Sequence, residues 1–151
     1  MENLIQPKKL FYTSCLALIV TAMTFAIRAK IMTMWGTDFT LSGEQLGLIA
    51  GTAFWGFTLA QIIGGPLIDV IGMRKILMLA FAGHILGVIV TIFAATFWTL
   101  FLGTLLIGIA NGSVEAACNP LVATLYSTQK TKMLNRFHMW FPGGNVIGGL
   151  I

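Results

Sequence analysis

The chain has 151 residues, 57% of them hydrophobic and only 9% charged, with a net charge of +4 and a mean hydropathy of +0.89. A water-soluble domain carries about 25% charged residues, so this composition excludes one: too few charges are present to cover a solvated surface. The positive charges fall between apolar runs and form no basic face, which sets nucleic acid aside as a partner and points to orientation in a lipid bilayer.

Met1 to Lys9 is a short polar start that carries Lys8 and Lys9. Leu10 to Ile27 is apolar and, at 1.5 Å per residue, about 27 Å long as a helix. It is long for a signal peptide and no A-x-A site follows it, so it reads as a retained first span. Arg28, Lys30, Trp35, Asp38 and Glu44 then make a polar connection, with Ser42-Gly43-Glu44 as a helix start. Arg28 falls about 28 Å from Lys9, near the outer interface, where a long stem lets the charge snorkel; a role in a site is the competing reading.

Leu46 to Leu67 is the second span and holds Gly47-x-x-x-Gly51, the small-residue spacing that lets helices approach closely. A polar turn around Asp69, Gly72, Arg74 and Lys75 leads to the third span, Ile76 to Ala94, in which His84 reads as an interhelical partner. Thr99 to Tyr126 is the fourth span, Ser127 to Arg136 a polar loop, and the apolar chain that follows starts a fifth span with no polar flank beyond it. The expected fold is thus an all-α integral membrane bundle with spans at about 10–27, 46–67, 76–94, 99–126 and 134–151. It reads as the front part of a longer protein. Cys15 and Cys118 lie inside apolar runs and read as small packing residues.

The fourth span carries the chemistry. Asn111, Glu115 and Asn119 recur every four residues and share one helix face. A carboxylate on a spanning helix costs roughly 2.5–3.5 kcal/mol on insertion scales, so it faces the bundle interior, a partner or a water-filled path. Interhelical glue is the bland alternative to a functional site. Glu115 lies about 17 Å from the inner face and Asn145 about 18 Å, a matching depth on consecutive spans; Asn119 and His138 lie nearer the inner side. Pro120 has no N–H and interrupts the backbone ladder below Glu115, which either kinks the helix or frees carbonyls for a ligand. Gly108-x-x-x-Gly112 and Gly144-x-x-x-Gly148 present smooth faces for close packing.

Orientation follows from the basic residues. With the N-terminus inside, the inner segments hold Lys8, Lys9, Arg74, Lys75, Lys130, Lys132 and Arg136, and the outer connections hold only Arg28 and Lys30. That asymmetry predicts a cytoplasmic N-terminus in a multi-pass cell-membrane protein.

The turn Gly65-Pro66-Leu67-Ile68-Asp69-Val70-Ile71-Gly72-Met73-Arg74-Lys75 resembles the signature loop of the major facilitator superfamily, and it stands where that family has it, on the inner side between helices two and three. The basic residue usual after the Asp is here Val70. Glu115-x-x-x-Asn119-Pro120, a short basic loop, then Leu134-Asn135, His138, Phe141 and Gly143-Gly144 are similar to the fucose–proton symporter and sugar-carrier branch. That branch carries an acid at the outer end of helix one, where this chain has Arg28. The resemblance implies the front third of a twelve-helix secondary carrier that rocks around a central site without ATP. It implies proton coupling and substrate binding at the position of Glu115.

A proton-coupled carrier of a small polar solute, a sugar or similar metabolite, is therefore the expected function. The expected substrate and proton site comprises Glu115, Asn111, Asn119, Asn145 and His138; the expected gating loop comprises Gly65, Asp69, Gly72, Arg74 and Lys75. No cofactor or metal is called for. The partners are the solute, protons, the bilayer and a C-terminal half of the same protein. An intramembrane enzyme would need paired carboxylates, a metal cluster or a Ser–His pair, and neither H-E-x-x-H nor G-x-S-x-G occurs. A structural or assembly protein would use the glycine faces but has no need of Glu115 at that depth.

Overall fold

A computed structural model describes residues 6–151; the first five residues of the polar start, Glu2 among them, lie outside the described residues. The chain folds as α1 (Pro7–Asp38), α2 (Gly43–Ile71), α3 (Met73–Ile92), α4 (Phe97–Leu125), a 3-10 turn (Ser127–Gln129), α5 (Lys130–His138) and α6 (Trp140–Leu150). The first four helices are long and apolar enough to cross a membrane. Among the described residues there is no strand, so the architecture is the all-α bundle expected from composition. Outward faces carry Leu16, Val20, Ile62, Phe81 and Leu86, all exposed, as they would be against hydrocarbon rather than water.

The helices run further than the apolar runs alone. α1 includes Arg28, Lys30, Trp35 and Asp38, so the expected polar connection shrinks to Phe39–Ser42. No proline interrupts that stretch. Instead α1 ends in a Schellman motif: the Leu41 N–H donates to the Gly36 carbonyl at 2.9 Å and the Thr40 N–H to the Thr37 carbonyl at 3.2 Å. The motif forces Thr40 to φ 51°, a left-handed position usually given to glycine. α2 then begins at a full capping box, with Gln45 N–H donating to Ser42 Oγ at 3.2 Å and Ser42 N–H to Gln45 Oε1 at 3.0 Å.

The polar turn after α2 is a single residue. α2 continues through Pro66 and Asp69 to Ile71, and α3 starts at Met73. Gly72 alone makes the link, at φ 84°, where a side chain would be strained. At the other end, the expected fifth span is two short helices. Pro142 has no N–H, and its ring crowds the carbonyl four residues earlier, that of His138. α5 accordingly stops at His138 and α6 resumes at Trp140.

α4 is the central element and packs along both α2 and α3, while α1 packs along α6. Lipid tails are as apolar as leucine, so helix association relies on close packing. Added Cβ atoms at the following glycines show how close that packing is. At Gly56 of α2 one would lie 2.8 Å from the Leu105 carbonyl oxygen, and at Gly112 of α4 2.8 Å from Ala60 Cβ. At Gly87 of α3 it would lie 3.0 Å from the Gly103 carbonyl, and at Gly144 of α6 2.6 Å from the Ile19 carbonyl of α1. Gly108, Gly112, Gly144 and Gly148 thus sit at helix contacts. Gly47 and Gly51 do not: the first meets nothing within 4 Å and the second only Trp55 of its own helix. The contact stripe of α2 lies instead along Thr52, Gly56, Ala60 and Gly64, all buried, because helix rotation puts that face toward α4. Phe11, Cys15, Leu18, Cys118, Val122 and Phe137 fill the core where α1, α4 and α5 meet. Both cysteines are free and buried.

Candidate functional site

Two helices bring the expected polar residues together. Glu115 projects from α4 and Asn145 from α6, and both line one opening of about 320 Å³. Phe25 of α1, Phe54 and Phe57 of α2 and Phe141 of α6 form the other walls. Phe25 has its ring centroid 6.0 Å from Phe141, 6.3 Å from Phe54 and 6.5 Å from Phe57, so it is the hub of an aromatic cage. Cages of this kind give apolar walls, while a few polar groups fix a ligand's orientation.

Asn119 stands one helix turn from Glu115 on α4, and His138 lies within electrostatic range of the same carboxyl. His138 itself is exposed at the end of α5, next to the break made by Pro142. The Oδ1 atoms of Asn119 and Asn145 are both buried, and neither has a hydrogen-bond partner among the described residues. A buried acceptor without a donor costs about 1–3 kcal/mol, so each of these two oxygens is open to a donor that the described residues do not supply.

Asn111 is not part of that opening. It is 1% exposed, and its amide is engaged by His84 of α3 at 2.7 Å and by Thr24 of α1 at 2.9 Å. One turn of helix is 3.6 residues, so residues spaced by four drift around the axis. Over the eight residues from Asn111 to Asn119 that drift separates side chains that a helical spacing places on one face.

From sequence, Arg28 reads as a charge near the outer interface, with a role in a site as the competing reading. The structure buries it to 6% exposure instead of letting it snorkel. Its Nη2 donates to the Thr104 carbonyl oxygen of α4 at 3.0 Å and its Nη1 to Thr52 Oγ1 of α2 at 3.4 Å. Both partners are neutral. The extension of α1 past Ile27 is what carries Arg28 inward, since a helix in place of a loop fixes its direction. It also borders a second opening of about 260 Å³ with Thr24, Trp35, Val88 and Thr91.

Of the expected gating residues, Gly65 and Asp69 belong to the last turns of α2, Gly72 is the link, and Arg74 and Lys75 open α3. Asp69, Arg74 and Lys75 are exposed. Their signs oppose both helix dipoles: an acid stands at the negative end of α2 and two bases at the positive end of α3, each costing roughly 0.3–1 kcal/mol. Helix stability therefore does not account for these charges. Among the described residues no group of three or more His, Cys, Asp or Glu side chains is placed to hold a metal ion.

The family model described as Major Facilitator Superfamily matches residues 13–151. Curated relatives include the probable chloroplastic anion transporter 6 of Arabidopsis thaliana, 26% identical over 99% of this chain and 29% of its own length. The gallate transporter of Pseudomonas putida is 29% identical over 87% of this chain and 28% of its own length. The D-xylose transporter of Levilactobacillus brevis is 28% identical over 72% of this chain and 22% of its own length. The chain thus spans less than a third of each of these three relatives. No solved structure matches it.

Proposed function

The chain belongs to the Major Facilitator Superfamily, and on that premise we propose that it forms the front part of a proton-coupled secondary carrier for a small polar solute, a sugar or similar hydroxylated metabolite. The carrier is a multi-pass protein of the cell membrane with its N-terminus in the cytoplasm, and further helices complete the alternating-access unit. One observation supports this most: Glu115 and Asn145, whose Oδ1 has no hydrogen-bond partner among the described residues, line a single aromatic-walled opening. Hydroxyl groups donate to such acceptors, and pyranose faces stack on aromatic rings. Relatives named as xylose transporters and as a gallate transporter carry hydroxylated solutes by name, which agrees with that chemistry.

Glu115 supplies the proton site in this scheme. A carboxyl withdrawn from bulk water, with an amide beside it, exchanges one proton when the site opens to one side and returns it on the other. The charged gating residues at Gly72 hold the inner mouth closed until α2 and α3 move. Purified full-length protein in vesicles, tested with xylose and related polyols under an imposed pH gradient, checks the proposal. Glu115→Gln keeps shape and hydrogen bonding and removes the titration. It abolishes accumulation driven by protons and leaves exchange of bound solute measurable. Continued proton-driven accumulation by the Gln variant refutes the assignment.

A further inference from the structure

His84 stands in the middle of α3, half-buried, between two oxygen atoms. Its Nδ1 lies 3.0 Å from the Ala80 carbonyl oxygen and its Nε2 2.7 Å from Asn111 Oδ1. Both oxygens only accept hydrogen bonds. A neutral imidazole has one N–H and one lone pair and satisfies one of them; an imidazolium satisfies both. The Ala80 carbonyl is held by its helix, but the Asn111 amide can turn end for end. Its other end is equally occupied: Nδ2 donates to Thr24 Oγ1 at 2.9 Å, and the Thr24 hydroxyl donates to the Thr21 carbonyl at 2.7 Å.

With the amide turned over, Nδ2 donates to a deprotonated Nε2 and Oδ1 accepts from the Thr24 hydroxyl, which gives up Thr21. Thr24 Oγ1 already lies 3.3 Å from Asn111 Oδ1, so this second network needs no helix movement. Two complete sets of hydrogen bonds therefore exist on the same scaffold, and they differ by one proton. Asn111, which both sets share, is buried.

We propose that His84 is a second proton-binding site, in which a proton taken up at Nε2 turns the Asn111 amide and re-aims the Thr24 hydroxyl on α1. Imidazole is the side chain whose ordinary range of charge change spans about pH 5 to 8. Of the charged groups on the surrounding helices, Arg28 comes nearest to Thr24 along the chain and borders one opening with it. Arg28, one turn beyond Thr24, is bonded to Thr52 and Thr104. Glu115, one turn beyond Asn111, borders the aromatic opening. Glu44 and Asp69 of α2 and Arg74 and Lys75 of α3 lie at helix ends. The switch joins α3 to α1 through one residue of α4, so it couples helices that have no direct packing of their own.

The site does not rest on the role assigned to Glu115, and its test keeps the two apart. Full-length protein in lipid nanodiscs, labelled with nitrogen-15 at histidine and asparagine, is followed by magnetic resonance from about pH 5 to about pH 8.5. The expected result is a His84 ring that passes from two N–H groups to one, with the Asn111 side-chain amide signals moving at the same midpoint. Thr24→Val keeps the shape, removes the hydroxyl, and shifts that midpoint by roughly half to one pH unit, the equivalent of one lost neutral hydrogen bond. Glu115→Gln leaves the transition in place. A single ring state across the range, an Asn111 amide that stays still, an unmoved midpoint in Thr24→Val, or loss of the transition in Glu115→Gln each overturns the proposal.

Discussion

Gly112→Ala is the sharpest test of how the bundle is held. An added Cβ there lies 2.8 Å from Ala60 Cβ and 2.8 Å from Phe57 Cα, and it also meets the Phe57 carbonyl oxygen. Carbon atoms rest at about 3.5–4.0 Å, so α2 and α4 must part by roughly 1 Å. The obstacles are backbone and Cβ atoms, which no rotamer change can move aside. Overpacking of this kind costs about 1–3 kcal/mol, and no hydrophobic driving force between helices offsets it in lipid. Phe57 also lines the opening at Glu115, so the same displacement widens that site. The assay is heat-induced labelling of the buried thiols Cys15 and Cys118 in the full-length protein, with Gly143→Ala as control because a Cβ there meets nothing within 4 Å. The expected labelling temperature falls for Gly112→Ala and holds or rises for the control. Ala60→Gly added to Gly112→Ala restores part of the loss, since it removes one obstacle and leaves the Phe57 backbone. Equal stability of Gly112→Ala and wild type, or no rescue by Ala60→Gly, refutes the packing account.

Thr40→Gly relieves a left-handed threonine that costs roughly 1–2 kcal/mol; after the greater freedom of glycine in the unfolded chain is subtracted, the protein gains up to about 1 kcal/mol in thermal unfolding. A loss instead means that the Thr40 side chain contributes a contact of its own. Single cysteines at Thr40→Cys and Gln129→Cys, both exposed positions, label from opposite membrane faces in intact cells, Thr40→Cys from outside; labelling of both from one face contradicts the orientation. Asp69→Asn slows turnover more than it weakens solute binding, measured as initial uptake rate against equilibrium binding, and unchanged turnover reduces the loop to a topological anchor.

Sequence alone determined the class of this protein, because class follows from sums. Too few charges and several long apolar runs have one solution in water and lipid, and that solution is a bundle of spanning helices. It also marked local signals that act within a few residues: the helix start at Ser42, the turn around Gly72, and the smooth faces at Gly108–Gly112 and Gly144–Gly148. It placed Glu115 and Asn145 at one depth, because rise per residue is constant along a helix. The direction of each side chain around its axis was decided only by packing. Rotation of α2 put Thr52, Gly56, Ala60 and Gly64 at the contact and left Gly47 and Gly51 outside it. A helix continued past Ile27 turned Arg28 inward, where a loop would have left it in water. Drift around α4 sent Asn111 to His84 and Thr24 and left Glu115 to Asn145. Periodicity fixes the spacing of residues on one helix, but which neighbour each meets depends on the crossing of helices far apart in the chain.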